Sequence, residues 1–334
     1  MVSGEGEQGV DPRIEQGPGG EKPSVGGAGH GAVSILSGAG PLPGEETSVI
    51  PSTMRAAVFA AAKTMEVREV PVPVPDPGEV LIRVDSCGIC GSDLSVWEGG
   101  ALSGPGVVLG HEIAAEVVDD PAGEWPVGTR VAVYPPRGCG ACIWCTRDQP
   151  RFCLDPPEKR QGGYAEYAAY PSGSLLPVPD SVDRRAASLA DPLGVATRAV
   201  EIAEPRSGDV AYVGGLGPIG LMTVSVLAAA GCTVVGGDPL PERRAMGESQ
   251  GCVATIDPTR DDPYDAANAF DPYGPRLAFE CSGHPEGLQQ IFDAAAPLGT
   301  VGILGIPKMP TLLLRMTVRE QRAFSISGPT RASM

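Results

Sequence analysis

Four of the nine cysteines in this 334-residue chain, Cys139, Cys142, Cys145 and Cys153, crowd into the stretch CGACIWCTRDQPRFC. Thiolates spaced C-x2-C-x2-C-x7-C on successive turns can close a tetrahedron around zinc, and a metal with four protein ligands has no open position for chemistry. The lobe therefore reads as a structural zinc site. Four cysteines also hold iron–sulfur clusters, and free or disulfide-bonded thiols are the plainer alternative. Nothing else in the chain is suited to single-electron transfer, which favours zinc. Trp144, inside the lobe, is assigned to packing.

A second group of metal-ligating types lies upstream, in CGICGSD at residues 87–93 and GHE at 110–112. Taken alone, Cys87 and Cys90 could form a redox pair, and His111, one of 3 histidines, could be a core residue. Beside a four-cysteine lobe the balance changes. Cys90 and His111 each fall at the end of a strand-like run, and together they offer a soft thiolate and an imidazole to a zinc that keeps an open coordination position.

The third signal is AYVGGLGPIGLMTVSVLAAAGCTVVGGD. Gly215, Gly217 and Gly220 follow a strand pattern and open an apolar helix, and with Pro218 and Ile219 between them they are the candidate coenzyme-binding residues of the loop. Asp238 ends the next strand. In that setting the glycines permit a tight turn and close backbone approach, and the helix N-terminus faces a pyrophosphate. Asp238 would accept hydrogen bonds from an adenosine ribose and repel a 2′-phosphate, so NAD is expected over NADP. Arg243 falls near the adenosine end. A glycine-rich turn in an unrelated α/β domain is the competing reading.

These residues need elements to hold them. The length suits two domains. Residues 1–53 hold thirteen glycines, seven acids against two bases, and no Phe, Tyr or Trp. Such a segment cannot bury enough apolar surface to offset its ordering entropy and is expected to be a disordered, acidic, Gly-rich tail. From Met54 onward, short β-branched runs broken by Pro and Gly read as strands and turns. After Asp191, apolar helical runs alternate with DVAYV, CTVVGG, VATI, LAFE, TVGILG and AFSIS. Alternation of this kind predicts a doubly wound parallel sheet covered on both faces.

The formal net charge of -16 repels phosphate backbones and anionic lipid, so neither nucleic acid nor a membrane surface is an expected partner. The N-terminus shows no basic region followed by a continuous apolar run, and no apolar stretch approaches the roughly 20 residues that span a bilayer. Nine cysteines in such a chain are expected to be ligands or buried thiols in a reducing compartment.

The order GICGSD, GHE, the four-cysteine lobe, GGYAEY, DPLGVA, GGLGPIG and ECSG, over about residues 54–328, resembles the zinc-dependent medium-chain alcohol and polyol dehydrogenases, the group that includes sorbitol and threonine dehydrogenases. The resemblance implies an α/β chain with a β-rich GroES-like catalytic domain over 54–190, the zinc lobe at 139–153, and a Rossmann NAD-binding domain over 191–334. It implies Cys90 and His111 as catalytic zinc ligands and Glu112 as a carboxylate that approaches or joins the metal. Ser92 would take the substrate proton, and Asp93 would be the partner of the zinc histidine. Asp191 stands where polyol-type relatives carry a glutamate ligand; its other reading is a cap on a helix starting at Pro192.

Ser95 replaces a histidine that in many relatives passes the proton to solvent. The family also continues beyond ISGPTRASM, so the expectation is a catalytic domain lacking its C-terminal closing segment. The implied activity is hydride transfer from a secondary alcohol or polyol to NAD, with one catalytic and one structural zinc. A cytoplasmic homodimer or homotetramer is implied as well. The alternatives are a zinc-free quinone-type reductase of the same superfamily and a truncated, catalytically weak nucleotide-binding member.

Overall fold

Alternating apolar and polar residues in the first half build an antiparallel sheet, as the computed structural model shows; it describes residues 49–99, 104–156, 162–305, 321–326 and 328–334. The expected tail lies outside the described residues up to residue 48. A hairpin, β1 (Thr53–Ala61) and β2 (Thr64–Pro71), comes first. Strands β3 (Glu79–Gly88), β4 (Glu112–Asp119), β5 (Arg130–Val133), β6 (Tyr167–Pro171) and β7 (Leu175–Pro177) then form a five-stranded sheet in the order β6-β3-β4-β5-β7. Its core takes alternate residues from each strand: Val80 and Ile82, Ile113, Ala115 and Val117, Val131 and Val133. This is the period of two that puts successive side chains on opposite faces.

Because β3 and β4 run antiparallel, the end of one meets the start of the other, and Gly88 pairs directly with Glu112. That register positions the candidate ligands. Helix α1 (Gly91–Trp97) leaves the end of β3 with Cys90 at its N-cap. His111 immediately precedes β4 and does not end a strand, which corrects the expectation that both residues terminate strands.

Helix α2 (Ala190–Ala203) leads into the second half. There β8 (Val210–Gly214), β9 (Thr233–Gly237), β10 (Cys252–Ile256), β11 (Leu277–Glu280), β12 (Thr300–Ile303) and β13 (Arg322–Ser325) fall where the six sequence runs place them. They pair in parallel in the order β10-β9-β8-β11-β12-β13. Four helices, α3 (Pro218–Ala229), α4 (Pro241–Gln250), α5 (Pro263–Asn268) and α6 (Pro285–Ala294), alternate with these strands.

Both faces of the sheet are dry. Ala211 and Val213 of β8 join Leu277 and Phe279 of β11 beneath α2 and α3, whereas Val210 and Tyr212 join Ala278 beneath α6. Alternate residues of one strand thus serve two cores, as a doubly wound sheet requires. Strand order reverses between β8 and β11, and the crevice at their C-terminal ends is where such sheets take ligands. Among the described residues, no helix is long and apolar enough to cross a membrane.

Candidate active site and metal centres

Cys139, Cys142, Cys145 and Cys153 come together with their sulfur atoms all within 4.8 Å of one another. Cys142 Sγ lies 3.5 Å from Cys145 Sγ and 3.9 Å from Cys153 Sγ. Zinc–sulfur bonds of about 2.3 Å put tetrahedral ligands about 3.8 Å apart, so the spacing suits the ion. No disulfide competes, since all nine cysteines are free. Backbone N–H groups of Cys139 and Cys142 point at the sulfurs of Cys153 and Cys139. Such donors favour thiolate; at Cys142 the backbone N–H groups of Leu154 and Cys145 play this part and hold the thiol down to about 6. Trp144 packs in the lobe as expected, its ring 5.5 Å from that of Phe152.

The second group joins Cys90, His111 and Glu112, again with ligand atoms within 4.8 Å of one another. Gly88 makes room for it, because a Cβ there would overlap Glu112 Oε2. Asp93, buried on α1, organises the surroundings. Its Oδ2 accepts from Cys90 N–H at 3.0 Å and from the Tyr164 hydroxyl at 2.9 Å. Its Oδ1 accepts from Gly110 N–H at 3.3 Å and faces His111 Nδ1 at 3.6 Å. With Nδ1 turned to a carboxylate, Nε2 is the nitrogen left for a metal.

Asp191 is not a cap. Helix α2 begins at Ala190 with Leu189 at the N-cap, so Asp191 sits inside the first turn with no capping hydrogen bond. The sequence reading placed the start two residues late because Pro192 is a favoured first-turn residue. Asp191 is buried, and its Oδ1 has no hydrogen-bond partner. It stands outside the three-residue ligand group, although its charge is felt at Glu112 and Cys87.

Negative groups therefore crowd this centre. Burial pushes the Glu112 carboxyl up to about 7, with the neighbouring imidazole opposing and Asp191 adding. Burial likewise pushes Asp191 up to about 6 and drives the Cys87 thiol well above its ordinary range. His111 shows the reverse: burial opposes its charge, but hydrogen bonds to Asp93 and Cys90 lift it to about 11. A thiol, an imidazole and a carboxyl whose charge is disfavoured by burial are a donor set suited to zinc, and the unpartnered oxygen of Asp191 beside them points the same way. A tetrahedral ion held by these three clustered ligands would keep a fourth position for another group.

Ser92 is exposed on α1, two residues after Cys90 and beside Asp93. Ser95 turns inward to its own helix, its hydroxyl donating to the Gly91 carbonyl at 3.1 Å.

In the second half, Gly215 has φ 90°, and a Cβ there would sit 2.7 Å from Ser282 N. Gly217 is the N-cap of α3, with Pro218 as its first residue and Ile219 next; a Cβ at Gly217 would meet nothing within 4 Å. A Cβ at Gly220 would overlap the Gly215 carbonyl oxygen. The loop is thus a cradle with one open glycine at a helix N-terminus, the form that takes a pyrophosphate. Asp238 is 2% exposed and braces this loop, accepting Leu216 N–H and Leu240 N–H at 2.9 Å each. Arg243 Nη1 lies 3.5 Å from Asp238 Oδ2, and Arg244 donates to the Asp238 carbonyl at 2.7 Å. A carboxylate has about four acceptor sites, so capacity remains for a ribose hydroxyl.

Two residues escaped the sequence reading as site residues. Tyr164 lay inside GGYAEY, and only its contact with Asp93 gives it meaning. Glu280, in ECSG, is fully buried at the end of β11, where Oε1 accepts from Ser282 N–H at 2.8 Å and Gly283 N–H at 2.9 Å. A buried acid that ties a turn after a strand has no signature in spacing alone.

Known proteins share the sequence pattern and the fold. Residues 76–180 match the family described as alcohol dehydrogenase GroES-like domain, and residues 218–332 match the zinc-binding dehydrogenase family. The chain is 35% identical over 252 residues to the L-threonine 3-dehydrogenase of Pyrococcus horikoshii, covering 72% of each. It is 29% identical over 296 residues to the sorbitol dehydrogenase of Bacillus subtilis, covering 84% of this chain and 83% of that one. A crystal structure of a putative zinc-binding dehydrogenase from Sinorhizobium meliloti bound to NADP superposes with a TM-score of 0.76 at 30% identity, covering 85% of this chain and 86% of the other.

Proposed function

From the premise that the chain belongs to the zinc-dependent medium-chain alcohol and polyol dehydrogenases, we propose that Cys90, His111 and Glu112 hold its catalytic zinc and that Asp191 is a buried carboxylate beside that site. The protein is an NAD-dependent oxidoreductase that moves a hydride from a secondary alcohol or polyol to the coenzyme, and it carries a structural zinc as well. The single observation behind the ligand assignment is the convergence of three ligand atoms within 4.8 Å. The carboxylate of Asp191, one methylene shorter than the glutamate of polyol-type relatives, stays outside that set.

When bound, zinc supplies Lewis-acid withdrawal that makes a coordinated hydroxyl easier to deprotonate. The residues do the rest. Asp93 holds Nδ1 of His111, fixing the imidazole. Ser92, exposed beside Cys90, takes the substrate proton and passes it to solvent, because Ser95 is bonded back to its own helix. The α3 N-terminus and the glycine loop hold the pyrophosphate, while Asp238 and its Arg243 neighbour select the ribose end. Glu112 and Asp191 are both buried, so neither carboxyl is freely solvated.

We divide the chain at residues 190/191 into a catalytic domain over 54–190 and a coenzyme domain over 191–334, with 1–53 as a tail. A reducing, cytoplasmic setting accords with nine free thiols. A homodimer or homotetramer accords with a sheet that ends at β13, whose outer edge has no partner among the described residues.

The test is NADH formation over a panel of secondary alcohols and polyols, run beside zinc retention in Glu112→Gln and Asp191→Asn. Loss of the open-site zinc is expected in Glu112→Gln and retention in Asp191→Asn. The reverse pattern would make Asp191 the ligand, and no turnover with any zinc-loaded panel member would remove the substrate class.

A further inference from the structure

We propose that Tyr164 is a positioning residue for the catalytic metal, acting through Asp93 on His111. The inference rests on the reading of Cys90, His111 and Glu112 as the zinc ligands. Tyr164 is itself outside the ligand group.

The segment from Gly162 to Tyr164 runs beside residues 108–110. Gly162 N–H donates to the Val108 carbonyl at 3.1 Å, Gly163 N–H to the Gly110 carbonyl at 2.8 Å and Tyr164 N–H to the Leu109 carbonyl at 2.9 Å. Tyr164 is held from the other side too, because its carbonyl accepts Ala57 N–H at 2.8 Å. Its backbone is therefore fixed against the residues that lead into His111. The ring is fixed as well. Gly110 adopts φ +91°, and a Cβ there would come within 2.6 Å of the Tyr164 ring, so the ring lies against the residue just before His111.

With ring and backbone set, the hydroxyl has one place to go. It lies 2.9 Å from Asp93 Oδ2 and 3.1 Å from the Gly88 carbonyl. A phenol has a single proton to donate, and the carboxylate, charged and closer, is the stronger acceptor. Asp93 Oδ2 then has two donors, Tyr164 O–H and Cys90 N–H, while Oδ1 has Gly110 N–H and the imidazole of His111. Rotation of the carboxylate would break one or more of the three hydrogen bonds and carry Oδ1 away from His111 Nδ1, 3.6 Å off. Tyr164 thereby locks the acceptor that orients the imidazole; groups bonded directly to a ligand contribute about ten- to hundred-fold to metal affinity, and Tyr164, one contact further out, should take the lower end. Phenylalanine at position 164 would preserve the packing against Gly110 and remove only this lock.

The experiment is zinc titration of the full chain against a chromogenic chelator for wild type, Tyr164→Phe, Asp93→Asn and the double variant, with thermal melting of each metal-free protein. The lobe zinc serves as an internal control, since none of its four cysteines touches Tyr164. Expected are two zincs in the wild type and about tenfold weaker binding at the open site in Tyr164→Phe. The lobe zinc should not change, the metal-free melting temperature should fall only by the modest amount that one lost hydrogen bond to a buried carboxylate implies, and Tyr164→Phe should add nothing to Asp93→Asn. Unchanged open-site affinity in Tyr164→Phe, or effects that multiply in the double variant, would overturn the inference while leaving the ligands intact. A wild type that binds zinc only in the lobe would overturn the ligand assignment and the role of Tyr164 together.

Discussion

Replacing Gly220 and Gly217 by alanine, one at a time, separates two roles that glycine plays in a single loop. Both lie at the start of α3 and both gain one methyl group. At Gly220 the new Cβ would overlap the Gly215 carbonyl oxygen, far inside the 3.0 Å that real Cβ atoms keep. The obstacle is backbone, so no side-chain rotation relieves it. Alanine inside a helix gains about 1 kcal/mol over glycine, whereas forcing an extra methyl into a packed site costs about 1–3 kcal/mol. With a fixed carbonyl as the neighbour, the steric cost should take the upper end and win, leaving Gly220→Ala about 2 kcal/mol less stable.

At Gly217 the same methyl meets nothing within 4 Å, and the backbone there, φ -74° and ψ -173°, suits alanine. Its stability should fall by no more than the few tenths to about 1 kcal/mol that a poorer N-cap costs. The open space is where the pyrophosphate would lie, so NADH affinity should weaken at least tenfold, about 1.4 kcal/mol. Urea denaturation and NADH fluorescence titration on the two variants give both numbers. Wild-type NADH affinity in a well-folded Gly217→Ala protein, or undiminished stability in Gly220→Ala, would refute the reasoning.

Three further outcomes are expected. Cys142→Ser should lose the lobe zinc and keep the other, read by metal analysis and by a lower melting temperature; loss of both ions would mean the two sites are not independent. In metal-free protein the folded-state values of Glu112, about 7, and Asp191, about 6, lie above the ordinary 4.5 and 3.8. Their contribution to stability is therefore present below about pH 4 and lost as pH rises through 6–7, so chelated protein should melt at lower temperature at pH 8 than at pH 5.5, and zinc should reduce that difference. Asp238→Ser removes the acceptor of Leu216 N–H and Leu240 N–H, so it should cost about 1–3 kcal/mol in stability while narrowing the preference for NAD over NADP, measured by parallel titrations. An unaltered preference would show that the carboxylate braces the loop without reading the ribose.

Much of this arrangement was legible because it rests on spacing. The six coenzyme strands announced themselves as short β-branched runs between helical runs, and the glycine loop declared its position by following one and preceding the other. The four-cysteine lobe was legible for the same reason, since ligands on neighbouring turns are close in sequence as well as in space. What spacing cannot show is register. That Gly88 opposes Glu112 depends on how β3 and β4 pair, and this pairing brings Glu112 into the ligand group while Asp191 stays outside.

Helix starts were also imprecise: Pro192 suggested a boundary, yet the preceding 3-10 turn, Ala186–Leu189, feeds α2 directly and leaves Asp191 without a capping role. Tyr164 was invisible for a third reason. Its partner Asp93 lies 71 residues away, and a hydroxyl that bonds a buried carboxylate looks, in one dimension, like any core tyrosine.

Metal content measured beside turnover, for wild type and His111→Ala purified under reducing conditions, tests the central claim most directly. The account predicts two zincs per chain and NADH formation from at least one secondary alcohol or polyol in the wild type, against one zinc and no NADH in His111→Ala, whose coenzyme affinity should be unchanged. Two zincs and retained turnover in His111→Ala would contradict the assignment of Cys90, His111 and Glu112 as the centre at which the hydride leaves the alcohol.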